Sequence, residues 1–403
     1  MSQLKNIRIL FATRIIRLFA YGFLSVILVL YLSEIGLNEY QIGLLITFTL
    51  IGDAIISLWI TTHADYYNRK KMLLFGAILM AAGGIIFSLT SNYLLLIITA
   101  TIGVISPSGK EIGPFLSIEQ SALAEVVDVK DLPKLFGWYN LAGSFATAFG
   151  ALSAGWLAVL LQTKGFTIVV SYKIILAAYG IMGILLLCLF YFLTEKIETQ
   201  KNPETKTMLN KLGLYRSKKI VMKLSSLFAL DAFAGGFIVQ SIIAYWFYLK
   251  FHVSAGTLGS IFFGANLIAG ISSLYAIKIA KKFGLLKTMV YSHLPSNFLL
   301  FMVPLMPTLS LAISMLLLRF SISQMDVPTR HTYTLTAVAK DERSAASGIT
   351  TIARSIGASI SPSFSVMLLA NPLLISFPFF FAGGLKIIYD VWLYFSFKKQ
   401  SDL

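Results

Sequence analysis

Long uninterrupted apolar runs constrain this chain more than any other feature. The stretch IILAAYGIMGILLLCLFYFL, residues 174–193, holds no charge over 20 residues, and runs of 18 or more recur along the whole sequence. Each can cross a hydrocarbon core about 30 Å thick as a helix, and in lipid only helices and closed barrels satisfy every backbone polar group. Only 13% of the 403 residues are charged, against roughly 25% in soluble domains. The sequence therefore reads as an all-α polytopic membrane protein. Twelve transmembrane helices are expected at roughly 7–33, 40–64, 72–90, 93–122, 135–161, 168–194, 221–250, 256–280, 288–306, 309–337, 342–370 and 372–396. Met1 to Arg8 lead straight into the first span without a small-residue cleavage site, so no cleavable signal peptide is expected. The single cysteine, Cys188, excludes a disulfide within the chain.

The formal charge of +15 would point to nucleic acid in a soluble protein. Here its distribution sets orientation, and no nucleic-acid partner is expected. Basic clusters at Lys5–Arg8, Arg69–Lys71, Lys130–Lys134, Lys281–Lys287, Lys340–Arg343 and Lys398–Lys399 fall on one side, with a basic middle loop from Lys196 to Lys223. The other side offers Lys164, Lys173 and Lys250. By the positive-inside rule the first side is cytoplasmic, including both termini, and the expected location is the cell membrane. The middle loop serves as orientation signal and linker, and its charge can also touch anionic lipid.

Six spans, a polar linker and six more spans divide the chain into an N-terminal bundle at 1–194, a linker at 195–220 and a C-terminal bundle at 221–403. The fourth and tenth spans support a repeat. GKEIGPFLSIEQSALAEVVDVKDLPKLFGW and QMDVPTRHTYTLTAVAKDERSAASGI each place an acid deep in the span, a proline soon after it, and then a mixed polar helix. Glu111 matches Asp326 at an offset of 215. Irregular backbone and charge at membrane depth are tolerated where they face protein or a water-filled cavity. The broken stretch ISPSGKEIGP, with Pro107 and Pro114, is therefore a pointer to a transport path, and parallel six-span repeats are a transporter architecture.

The loop between spans two and three, TTHADYYNRKKML, resembles the signature Gly-x-x-x-Asp-Arg-x-Gly-Arg-Lys/Arg of the major facilitator superfamily. Asp65, Arg69 and Lys70 fall at its acidic and basic positions; Thr61, Tyr66 and Asn68 replace the first glycine, first arginine and second glycine. Asn tolerates the left-handed conformation better than most residues. The second-half copy, KKFGLLK, keeps Gly284 and lacks the acid. The stretches DVPTR and SPSGKEIGP also resemble a prokaryotic group within the superfamily. The resemblance implies two pseudo-symmetric six-helix bundles, a gating role for Asp65, Arg69 and Lys70, and secondary transport of a small molecule.

Ionisable groups inside spans are costly and face a partner or a cavity. By depth the central ones are Arg14, Arg17, Asp53, Lys110, Glu111, Asp231, Arg319, Asp326, Arg330 and Arg354, six cations and four anions. Arg14, Arg17 and Tyr21 share one helix face, which is open to two readings: cavity wall or buried clamp. Asp53 reaches a similar depth and is a candidate partner for Arg17. A carboxylate in a partly dry cavity can carry a proton, whereas Lys110 beside Glu111 and Arg330 beside Asp326 favour ionised acids. Arg319 resembles the arginine of the superfamily's fourth-span signature but sits in span ten; the matching first-half residue is Val104. The antiporter signature, a glycine-rich fifth span ending in Gly-Pro, is incomplete: Gly143, Gly150 and Gly155 lack a following proline, and Gly348, Gly357 and Pro362 lie in span eleven. Close helix packing accounts for such small residues.

The four histidines are scattered, and no metal-ligand spacing, nucleotide-binding glycine loop or nucleophile triad is found, so no cofactor or metal is expected and an enzyme is the least favoured class. Without an ATP site, transport runs on a gradient or is passive. The expected function is proton-coupled efflux of small amphipathic compounds by a monomer in contact with membrane lipids. Proton-coupled uptake of an organic anion is the first rival. A non-transporting membrane sensor of the same fold is the second.

Overall fold

The computed structural model describes residues 2–111, 115–127, 132–194, 197, 216–339 and 342–401. These residues form helices and turns, with no strand among them. Fifteen α-helices follow one another: α1 (Ser2–Glu34), α2 (Glu39–Tyr67), α3 (Arg69–Leu89), α4 (Tyr93–Ile102), α5 (Phe115–Val126), α6 (Leu132–Thr163), α7 (Ile168–Tyr191), α8 (Lys218–Gly236), α9 (Gln240–Phe251), α10 (Ala255–Phe283), α11 (Leu285–Met302), α12 (Leu309–Ser323), α13 (Asp326–Thr336), α14 (Arg343–Leu369) and α15 (Phe377–Ser401). They build the twelve spans of a two-bundle membrane fold, with spans four, seven and ten each made of two helices in series. Nine segments among the described residues are long and apolar enough to cross a membrane. The basic linker lies largely outside the described residues, as do Lys130, Lys340 and Pro114.

Polar caps set the span ends. Asn38 and Gln41 form a reciprocal capping box at the start of α2, while Asn92, Thr167 and Thr308 cap α4, α7 and α12 through their side chains. Each cap satisfies an otherwise orphaned amide at a point where the chain leaves the hydrocarbon.

Each break has an identifiable cause. In span four the helix stops at Ile102, and Gly109 takes a left-handed φ of +64°. Polar groups released by the break are met from within the protein: Tyr179 donates to the Val104 carbonyl and Ser106 Oγ to the Lys110 carbonyl at 2.9 Å. In span ten, Pro328 sits in the first turn of α13, where its missing N–H breaks no helical bond. Span seven departs from the single helix expected over 221–250, because α8 ends at Gly236 and α9 restarts at Gln240. A Cβ at Gly236 would lie 2.2 Å from Ser361 Oγ and 2.5 Å from the Ala358 carbonyl oxygen, so a close approach by α14 demands glycine at the point of breakage.

The residues pack into two compact units. The first comprises Met1–Lys201 with Val239–Leu267, the second Asn202–Ile238 with Ile268–Leu403. In the first, α1 lies along α6 and α7, α3 along α7, α2 along α4, and α9 packs on α1. Backbones meet closely there: Cβ atoms at Gly22 and Gly150 would lie 2.1 and 2.0 Å from the carbonyl oxygens of Thr147 and Phe19. In the second, α14 lies along α8, and α11 packs on α12, α13 and α15.

Candidate functional site

Among the described residues, each unit holds a buried ion cluster. In the first unit it gathers α1, α5, α6 and the break of span four. Arg17 is fully buried, giving Nη1 and Nη2 to the two carboxylate oxygens of Glu119 at 2.8 and 2.6 Å and Nε to Glu111 at 2.8 Å. Arg14, one turn earlier, reaches the other Glu111 oxygen at 2.7 Å, the Tyr139 carbonyl at 2.8 Å and Asn140 at 3.0 Å. Its guanidinium lies over the Tyr139 ring, and that of Arg17 over Phe115. Glu119 also accepts from Thr13 at 2.9 Å and from the Tyr139 hydroxyl. A Cβ at Gly143 would stand 2.8 Å from Arg14 Nε, so this glycine makes room for the cluster. Two cations and two anions balance, and bidentate geometry offsets the desolvation such a cluster incurs. Of the four charged groups Glu111 is the most exposed, at 13% of its side chain.

In the second unit α8, α11, α13, α14 and α15 converge on Asp231, which is 2% exposed. Lys386 bonds one carboxylate oxygen; Arg354 at 2.9 Å and Arg330 at 3.5 Å hold the other. Arg330 also binds Asp326 at 2.6 Å, four residues earlier on α13. Beside this node His293 places Nδ1 2.8 Å from Asp390 and Nε2 3.9 Å from Asp231. Asn297 donates to the second Asp390 oxygen at 2.8 Å. The Arg354 side chain is 32% exposed, the rest of the node nearly closed. A cavity of about 40 Å³ adjoins it, lined by Phe228, His331, Thr334, Thr350 and Arg354.

Most candidates expected from sequence meet in these clusters. Arg14, Arg17 and Glu111 join in the first, Asp231, Asp326, Arg330 and Arg354 in the second. Arg17 takes Glu119 and Glu111 rather than the expected Asp53, because the break of span four turns Glu111 onto α1 and brings Glu119 opposite it. Asp53 is half-buried and accepts from Ser57 at 3.2 Å. Tyr21 is fully buried, so the Arg14–Arg17–Tyr21 face is an interior seam. Lys110 is exposed, next to buried Gly109. Arg319 is 7% exposed, and its Nε makes no hydrogen bond among the described residues.

In the loop motif, Asn68 has φ +93° where the signature has glycine, Arg69 Nη1 donates to the Ile197 carbonyl at 3.0 Å and Lys70 to the Leu193 carbonyl at 2.8 Å. Both basic groups thus serve carbonyls beyond the end of α7. The Asp65 side chain lies outside the described residues.

Glu119, Lys386, Asp390 and His293 are absent from the set expected by depth. The signal for two of them was present: Lys386 and Asp390 stand at i and i+4 in the middle of span twelve. Glu119 reads as the end of a continuous span 93–122, and only the break brings it to the cluster.

Relatives agree with this architecture. The chain is 28% identical to an uncharacterized membrane protein of Saccharomyces cerevisiae, over 96% of its own length and 93% of the relative's. It is 23% identical to Multidrug resistance protein 1 of Bacillus subtilis, over 87% and 86%. The fold superposes on the xylose transporter XylE from E. coli with a TM-score of 0.73, covering 98% of both chains at 16% identity. Residues 10–362 match the Major Facilitator Superfamily, and the chain belongs to that family of multi-pass membrane transporters.

Proposed function

We propose that the chain is a secondary active transporter of the cell membrane that exports small amphipathic organic compounds in exchange for protons. Two six-helix bundles rock about a central cavity and expose it alternately to either side, with both termini cytoplasmic. The carrying observation is internal charge compensation. With Glu119, Asp390 and Lys386 added, the intramembrane groups number seven cations and six anions, nearly equal. Substrate recognition then rests on apolar and aromatic surface more than on a bare charge, and the likeness to Multidrug resistance protein 1 of Bacillus subtilis supports export. The remaining excess cation favours a second reading, proton-coupled uptake of an organic anion, with Arg319 as the group to meet it.

Counterflow in proteoliposomes separates the two. Tetraphenylphosphonium should accumulate several-fold when the lumen is acidic, and internal benzoate should have no effect. Acceleration by benzoate with no response to the lipophilic cation would sink the export reading.

A further inference from the structure

The buried acids of the spans differ in the kind of cation that neutralises them. Glu119 is paired with Arg17, Asp326 with Arg330, and Asp231 with Lys386, Arg354 and Arg330. Arginine and lysine hold their protons throughout the physiological range, so protonating any of these acids means breaking a desolvated ion pair. Asp390, 1% exposed, is different: its ion pair is with His293, itself 5% exposed. Histidine is the side chain that ordinarily changes charge between about pH 5 and 8.

We propose that the His293–Asp390 pair, joining α11 to α15, is a proton-binding site of the transporter. The inference rests on the proton-coupled reading above. With Nδ1–H directed at Asp390, an incoming proton adds to Nε2 and leaves from the same atom. The imidazolium so formed presents Nε2–H to Asp231 Oδ1, 3.9 Å away. Asn297 holds Asp390 in place from its other oxygen. Besides Asp390, the buried charged and titratable groups of the helices packed around His293 are Asp231 on α8, Arg319 on α12, Asp326, Arg330 and Tyr333 on α13, and Lys386 and Tyr389 on α15. Arg354 of α14 enters through Asp231.

The pair therefore reports to the node. A proton on His293 adds a further positive group to an Asp231 already shared by Lys386, Arg330 and Arg354. Arg354 is the member with access to water, so it is the one that leaves most readily. Its bond to Asp231 ties α14 to α8, and loading the proton weakens that tie.

The test uses the full chain in nanodiscs with ¹⁵N-labelled histidine. The His293 ring signal is assigned among the four histidines by its loss in His293→Gln. In the wild type the ring signal should report a change of protonation state across the pH series, and Asp390→Asn should alter that response. A ring that keeps one form throughout, or titrates identically in Asp390→Asn, overturns the proposal. In proteoliposomes the same variants should lose at least tenfold of the pH-driven accumulation of tetraphenylphosphonium. Equal pH-driven accumulation by wild type and both variants overturns the site. Wild-type flux indifferent to the gradient, with His293 still titrating and dependent on Asp390, overturns the coupled-transport reading and supports the proton site.

Discussion

Glu119 and Glu111 share Arg17 and differ in what their removal would leave behind. Glu119 is 0% exposed and takes both ends of the guanidinium. Glu111 lies on irregular backbone, partly exposed, and shares its charge between two arginines. Glu119→Gln therefore strands most of a buried charge and should cost about 3–5 kcal/mol, the range for breaking a buried pair from one side. Glu111→Gln leaves Arg17 on Glu119 and leaves Arg14 on neutral partners, Asn140 and the Tyr139 carbonyl, at a cost of about 1.5–3 kcal/mol, the range for hydrogen bonds to charged groups. Thermal unfolding of both purified variants checks this; equal midpoints would refute the distinction. At this scale the charges were legible and their partners were not. An arginine in an apolar run announces itself, whereas its acid lies 102 residues away, beyond a break whose geometry no local pattern encodes.

Among the elements, the breaks differ in how openly the sequence marks them. Pro107 and Gly109 mark span four and Pro328 marks span ten, but the break of span seven follows Gly235 and Gly236 with no proline. Its cause is tertiary, the approach of α14 at Gly236. Beyond it, Gln240 stitches α9 to the first unit. Its amide donates to Ser25 Oγ at 2.7 Å, its carbonyl oxygen accepts from Asn266 at 3.1 Å, and the neighbouring Ser241 amide donates to the Pro107 carbonyl at 3.1 Å. Gly109 is required at this seam, since a Cβ there would meet Ser25 Oγ at 2.9 Å and Gln240 Nε2 at 3.3 Å. Gln240→Ala removes two buried hydrogen bonds, each contributing about 1 kcal/mol. Amides at the start of α9 should then exchange about 30-fold faster, since 1.4 kcal/mol is tenfold in an equilibrium. Unchanged deuterium uptake over the first turns of α9 would show that the seam contributes nothing to holding it.

For the whole molecule, fold class followed from apolar runs because lipid leaves so few alternatives. The two-half division came from a repeat of charge and proline, which survives where overall similarity does not. Packing adds what the repeat cannot express: Val239–Leu267 lies with the first-half spans, because α9 restarts after the break and packs on α1. Orientation remains a matter of charge. Short loops rich in lysine and arginine stay on the cytoplasmic face during insertion, and here Lys164, Lys173 and Lys250 stand against every other basic cluster. The prediction uses a Cys188→Ser background, because that thiol is exposed. A cysteine at Lys164, in the turn between α6 and α7, should react with a membrane-impermeant maleimide added to intact cells. One at Lys282, near the end of α10, should react only after permeabilisation. The reverse pattern would place the basic clusters outside and invert the molecule. Labelling of both sites in intact cells would mean that charge does not set the insertion of this chain.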